Sequence, residues 1–582
     1  MPLSRPHAAL AVAAPERELG TWWIDLLIVG GLAGLIAGVV ALAQRWSAPM
    51  QPTVDIDLSL WALPEYTLLS LSRGVAAYML SLLFTLVYGT VAAHSRIAER
   101  IMIPVLDILQ GIPVLGFLPG LVLGMVALFP HSNVGLELAC VLMIFTGQVW
   151  NMTFSFYASL RAVPVELREA ARVYRFGWWK QFRTVEVPSS MIGLVWNSMM
   201  SMAGGWFFLT VNEAFTLGKQ DFRLPGIGAY MSVAIERGDS TAMAGAIVAM
   251  TTMIIAVDQL VWRPALAWAQ KFKVEETEAA DVPTSWVLDV LRRSRLMPWI
   301  EQQAGEIFAR LETRRAAYVA RPNVQASGRR LAFAPRLAGG LIAATALLLT
   351  AWGVFQLLTL LAALRAGEWL HLVAALLLTF LRTSAALALG ALWAVPVGIW
   401  IGLAPRRVRT LQPLIQVAAA FPAPMLFPLV TLVILALGVP FAWGCVALML
   451  LGSQWYILFN VLAGASAMPQ DLREAAAVYG LSRWARWRIL YLPVVFPHLV
   501  TGLITAAGGA WNASIVAEYV RYGDTTLIAP GLGSLITQAT AAGNFPLLAA
   551  GVLTMSFALV TLNRLVWHRL YQLADRRYSL NR

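Results

Sequence analysis

Charge is scarce in this sequence. Asp, Glu, Lys and Arg make up 13% of its 582 residues, about half the share usual in a soluble domain. Hydrophobic residues make up 59%. That balance excludes an ordinary soluble globular protein and a disordered chain alike. Cysteine is nearly absent too. Cys140 and Cys445 are the only two, both inside apolar runs, which excludes a disulfide scaffold and reads as a pair of inert buried thiols. The six histidines are scattered, no Cys/His cluster has zinc-ligand spacing, and no paired acid and base suggests an enzyme active site. No Gly-x-x-x-x-Gly-Lys-Ser/Thr segment occurs, so the chain has no P-loop to cradle nucleotide phosphates. No catalytic residue, metal or cofactor is therefore expected in this chain.

Long apolar runs are present instead, and the mean hydropathy is +0.68. A window the length of a bilayer crossing gives twelve expected helices, at 22–43, 70–92, 104–129, 136–156, 191–212, 241–263, 337–363, 372–403, 413–438, 442–463, 494–518 and 546–563. The stretch before the first of them carries Pro2, Pro6 and Pro15 with Glu16, Arg17 and Glu18, and no clear cleavage site follows. It reads as a retained cytosolic tail.

The net charge of +12 suggests a nucleic-acid partner until its distribution is considered. With a cytosolic N-terminus, the segments on that side hold 33 of the 43 Lys and Arg, and the outer loops hold six. This is the bias of the positive-inside rule, so topology explains the charge and both termini are expected in the cytosol. Many of the 23 Trp fall near span ends, where indole rings anchor in the headgroup region.

The chain also matches itself. From Cys140 to Gly238 the first half aligns with the second at a constant offset of 305, pairing Gly147 with Gly452, Trp150 with Trp455, Glu169 with Glu474, Trp206 with Trp511, Glu213 with Glu518, Gly226 with Gly531 and Gly228 with Gly533. Upstream the offset becomes 309, pairing Arg73 with Arg382, Pro113 with Pro422 and Pro119 with Pro428. Each half holds six expected spans, an even number, so both insert in the same sense and a pathway is expected at their interface. The fold class expected is an all-α polytopic membrane protein of two parallel six-helix repeats, 1–263 and 336–582. A charged cytosolic linker, 264–335, with amphipathic stretches, joins them as if two subunits had fused.

Between the fourth and fifth spans of each half lies a long cytosolic loop. The second copy begins as a helix, with Pro469 and Asp471 in favourable N-terminal positions, and breaks at Gly480. Small Ala475 and Ala476 permit close approach by another surface, and Glu474 offers it an acceptor. Glu474-Ala475-Ala476, Gly480 and the later Leu490-Tyr-Leu-Pro493 resemble the signature loop of ABC importer permeases, the inner-membrane subunits of binding-protein-dependent transporters. The first copy keeps Glu169-Ala170-Ala171 and Pro188 but has Arg175 at the glycine position, with Gly177 two residues later. On this pattern the second loop is expected to contribute more to coupling. Leu381-Arg382-Thr-Ser, Gly398-Ile-Trp-Ile-Gly402, Pro413, Pro422, Pro428 and Ala517-Glu518 resemble the nitrate, sulfonate and taurine branch.

That resemblance implies two cytosolic ATPase subunits carrying ATP and Mg, a periplasmic or lipid-anchored solute-binding protein, and a bacterial inner membrane. It implies ATPase coupling at Glu169, Ala170, Ala171, Gly177, Glu474, Ala475, Ala476 and Gly480. Gly226, Gly228, Gly531 and Gly533 are candidates for docking the binding protein, with turn chemistry as a compatible reading. Arg73, Trp206, Glu213, Arg382, Trp511 and Glu518 are candidates for the pathway or its gate, because charge inside a span is functional by default. The expected pairs are Glu213 with Arg73 and Glu518 with Arg382; the rival reading has the arginines touching an anionic solute. The other class still open is an ion-coupled secondary transporter, disfavoured because mid-span acids are few.

Overall fold

In the computed structural model, residues 54–217, 220–272, 285–293, 333–523 and 525–578 are described, with isolated positions at 25–49 and 302–306. Most of the span expected at 22–43 and most of the 264–335 linker lie outside the described residues.

The first half runs as α1 (Leu63–His94), α2 (Arg96–Gly111), α3 (Leu118–Leu128), α4 (Val134–Arg161), α5 (Val165–Val173), α6 (Val187–Asn212), the hairpin β1 (Ala214–Leu217) and β2 (Gln220–Arg223), α7 (Ile227–Arg237) and α8 (Ser240–Val257). The second runs as α9 (Phe333–Ala362), α10 (Ala366–Gly402), α11 (Pro405–Ala420), α12 (Ala423–Ala436), α13 (Phe441–Ser466), α14 (Gln470–Val478), α15 (Leu492–Ala517), β3 (Tyr519–Tyr522), β4 (Thr525–Ile528), α16 (Leu532–Ala542) and α17 (Phe545–Leu562). The order of elements repeats from α1 and α10 onward, as the offsets of 309 and 305 require. The four residues by which the offsets differ fall at the turn before α4, where Ser132 bridges to Pro49 and the Asn133 amide donates to the Ala48 carbonyl.

Among the described residues, seven helices are long and apolar enough to cross a membrane. Two further bent pairs bring this to nine if each pair is one span. The bent pairs correct the spans expected at 104–129 and 413–438. Neither is a single straight helix: α2 meets the helical run from Val114 at 86°, and α11 meets α12 at 87°. The cause is proline. Pro113 and Pro422 lack the N–H that would continue the helix, and each forces the preceding residue, Ile112 or Phe421, into extended backbone (φ −80°, ψ 131° and φ −67°, ψ 129°). The amide released at the first break is satisfied across the molecule, since the Val114 N–H donates to Asn512 Oδ1 on α15 at 2.9 Å.

The core of each half is a bundle of α1, α4 and α6, or α10, α13 and α15, with small residues at the crossings, as close packing in an apolar solvent favours. Ala77, Ala139, Met143 and Leu209 are fully buried in the first half, as are Ala386, Leu448, Ala510 and Ala513 in the second. The two hairpins also depart from an all-α expectation. Strands of four residues carry too little alternation to read from sequence. Their register, Ala214 opposite Arg223 and Tyr519 opposite Ile528, matters because it returns the chain to the helix end it left.

Candidate functional site

The hairpin return builds a buried polar knot at equivalent places in both halves. Glu213 caps the C-terminus of α6, and the closing amide of the hairpin, Leu224 N–H, donates back to the Glu213 carbonyl at 2.9 Å. Pro225 and Gly226 are thereby laid against the Glu213 side chain. Arg73 on α1 points into the same place. Its Nη1 donates to Glu213 Oε1 at 2.7 Å and to the Pro225 carbonyl at 2.9 Å. Ser70 donates to Glu213 Oε1 at 2.7 Å and accepts from the Ile227 amide at 2.9 Å, and the Gly228 amide donates to Glu213 Oε2 at 2.7 Å.

The second half repeats the arrangement. Arg382 Nη1 donates to Glu518 Oε1 at 3.0 Å and to the Pro530 carbonyl at 2.7 Å. Thr379 replaces Ser70 and donates to Glu518 Oε1 at 2.8 Å while accepting from the Leu532 amide at 2.8 Å. Both expected Arg–Glu pairs are thus formed. They are also closed: Arg73, Glu213 and Glu518 are fully buried and Arg382 is 4% exposed.

One member of the first knot escaped the sequence reading. Glu137, at the start of α4, accepts from Arg73 Nε and Nη2 at 2.6 and 2.8 Å, a bidentate pair. Its counterpart at the 305 offset is Ala442, and there Arg382 Nε donates to the Ala442 backbone carbonyl at 2.6 Å. Comparison of the repeats hides Glu137, because an acid in one copy stands against an alanine whose backbone does the same work.

The four glycines considered for docking lie inside these knots and offer no surface; all are buried. A Cβ on Gly228 would stand 2.6 Å from the Thr210 carbonyl, and one on Gly533 would strike the Ser514 carbonyl. One on Gly226 or Gly531 would strike the Glu213 or Glu518 carboxylate. Absence of a side chain lets α7 and α16 bring their first amides onto those carboxylates, and this close approach accounts for the spacing.

The pathway candidates separate in the same way. A cavity lies between the halves, lined by equivalent residues of each, including Gly147 and Gly452, Trp150 and Trp455, and Gly204 and Gly509. Trp206 lines it and packs on Gly74, next to Arg73. Arg73, Glu213, Arg382, Trp511 and Glu518 do not line it. No Lys, Arg or His does either; the one acid in the lining, Asp258, is paired with Arg263 at 3.1 Å, Asn151, Tyr456 and Asn512 offer neutral polar groups, and the Trp150 indole N–H there has no hydrogen-bond partner.

Facing the other end of the bundle, α5 carries Glu169, Ala170 and Ala171, and α14 carries Glu474, Ala475 and Ala476. In each, the Glu and first Ala are exposed and the second Ala is buried. Both helices end in the same Schellman turn. The Phe176 amide donates to the Ala171 carbonyl at 2.8 Å, and the Leu481 amide to the Ala476 carbonyl at 3.1 Å. Gly480 takes the left-handed position with φ 60°, and Arg175 takes it in the first loop with φ 49°. The left-handed conformation costs a side chain about 1–2 kcal/mol. Gly177, expected to stand in for the missing glycine, sits in ordinary extended backbone (φ −66°, ψ 157°), where any residue fits. The backbone thus gives no reason to rank one loop above the other. Each helix leaves an apolar pair uncovered at its end: Val173 and Tyr174 are 79% and 74% exposed, Val478 and Tyr479 84% and 82%.

A duplicated helical bundle with a cavity between its copies, sealed polar knots at one end and bare helices at the other defines a two-fold membrane pathway component. The sequence profile of the family described as "Binding-protein-dependent transport system inner membrane component" matches residues 85–261 and again 394–580. The chain belongs to that family. It is 26% identical over 185 residues to the nitrate import permease of Leptolyngbya laminosa, covering 32% of this chain and 63% of that protein. It is 30% identical over 142 residues to a bicarbonate transport system permease of Synechococcus elongatus, covering 24% and 50%. It is 28% identical over 194 residues to the taurine transport system permease of Escherichia coli, covering 33% and 64%. The chain thus spans about half to just under two-thirds of the length of these relatives.

Proposed function

We propose that the chain is the complete membrane pathway of an ATP-driven importer, two permease halves in one polypeptide. In this reading twelve spans form two parallel six-helix repeats, 1–263 and 336–582, in a bacterial inner membrane. The linker 264–335 and both termini are cytosolic. One ATPase subunit, carrying ATP and Mg, seats α5 and a second seats α14. A periplasmic or lipid-anchored binding protein delivers the solute on the other side. The observation that carries this reading is the duplicated short helix, with its exposed Glu-Ala edge and uncovered Val-Tyr end, joined through its Schellman turn to α6 or α15, which line the cavity. Closure of the ATPase dimer would move both helices and so the cavity walls.

The relatives' names point to a small oxyanion or organic anion as the solute. The cavity has no cation among its lining residues and one acid, Asp258, which is paired with Arg263, so an anionic solute would be held there by neutral hydrogen-bonding groups and aromatic faces. That favours singly charged species, since the desolvation of a dianion has no counter-charge to offset it.

The test is charge reversal at the exposed acids. Glu169→Lys and Glu474→Lys should each lower uptake per ATP hydrolysed by about tenfold or more, the size of one lost hydrogen bond to a charged group. Insertion and thermal midpoint should stay normal, because neither side chain is part of the packed core. Unchanged uptake in both variants would refute the proposal.

A further inference from the structure

Arg175 is the only non-glycine residue with positive φ among the described residues, and it stands where the other copy has a glycine that meets the same turn without strain. Its side chain is exposed, so packing does not account for it. Strain kept at one exposed position is a reason to look for a contact outside the chain.

The neighbouring residues point the same way. Arg172, one turn earlier, is exposed as well, and its counterpart is Ala477. Neither guanidinium has a hydrogen-bond or ion-pair partner among the described residues. Segment 165–180 carries four cations against two acids, whereas 470–485 carries two against two. The remaining cations of the first loop are engaged: Arg168 donates to the Leu160 carbonyl at 2.7 Å, and Lys180 lies 4.3 Å from the centre of the Phe176 ring. Proximity to the helix C-terminus favours a cation at 172, yet it gives no reason to accept a left-handed arginine at 175.

We propose that Arg172 and Arg175 form a cationic docking edge for an acidic rim on the ATPase that seats α5, so that the two loops of one chain present electrostatically different plugs. The partner surface at α14 needs no such acids. Specificity by charge at a rim acts mainly on encounter and register, and here it would fix which ATPase face, or which of two ATPases, takes which half. The inference rests on the importer reading above.

The experiment uses the full-length chain in lipid nanodiscs and the purified ATPase subunit of its own host. Arg175→Gly and Arg172→Gln should each raise the apparent Kd for the ATPase by about tenfold at low salt. The difference should close near about 1 M salt, where the Debye length is about 3 Å. Arg175→Gly relaxes the turn, so its thermal midpoint should not fall, which separates docking from folding. Wild-type binding with unchanged Kd and salt dependence in both variants overturns this inference alone; a wild-type chain that binds no ATPase overturns it together with the importer reading.

Discussion

Replacing Arg73 with leucine is expected to cost more stability than any other single change in the chain. Removing one partner of a buried ion pair typically costs about 3–5 kcal/mol, because the charge left behind has neither water nor counter-ion. Arg73 serves two carboxylates, Glu137 and Glu213, both buried. A large fall in the thermal midpoint of the purified chain is therefore expected, and Arg382→Leu, which strands only Glu518, should fall less. Adding Glu137→Gln to Arg73→Leu removes one stranded charge and should recover part of the loss. If the arginines instead touched an anionic solute, Arg73→Leu would keep a normal midpoint and lose uptake alone.

A charge swap is not a fair rescue here. Arg382 also donates to the Ala442 and Pro530 carbonyls, while Glu518 also accepts from Thr379 and from the Ser534 amide at 3.2 Å. Exchanging the two would point a carboxylate at two carbonyl oxygens and a guanidinium at donor groups. The swapped chain should remain as unstable as the single variants.

The second large effect is expected at Gly228. An alanine there places Cβ 2.6 Å from the Thr210 carbonyl and 2.9 Å from its Cα. Both are backbone atoms of α6, so no side-chain rotation relieves the clash and α7 must move away. Overpacking of this kind costs about 1–3 kcal/mol. The shift also pulls the Gly228 amide from the Glu213 carboxylate, a charge-assisted bond of about 1.5–3 kcal/mol. Alanine at Gly177, where nothing lies within 4 Å, should be neutral. The check is the thermal midpoint of the two variants side by side: a large drop for Gly228→Ala and none for Gly177→Ala.

What could be read from the sequence was what the repeat printed twice. Arg73 with Glu213 and Arg382 with Glu518 follow from helix rise and matching depth, and both pairs are present. The helical start of the second loop follows from the placement of Pro469 and Asp471. Features that depend on backbone were out of reach. Glu137 is matched by a carbonyl, which has no letter in the sequence. Arg175 takes a glycine's conformation, so a change of residue concealed an unchanged turn. The glycines of the knots looked like loop surface because spacing cannot tell a turn from a close approach. Pro113 and Pro422 were visible, but hydropathy averages across a right-angle bend that keeps its residues apolar.

The importer reading is tested most directly by native mass spectrometry of the full chain purified with lipid from its host, paired with solute uptake in sealed vesicles. One chain should carry two ATPase copies, fall to one copy when either Glu169→Lys or Glu474→Lys is introduced, and take up solute only with ATP and Mg supplied on the ATPase side. A chain that carries no ATPase and accumulates solute on an ion gradient without ATP would contradict the account.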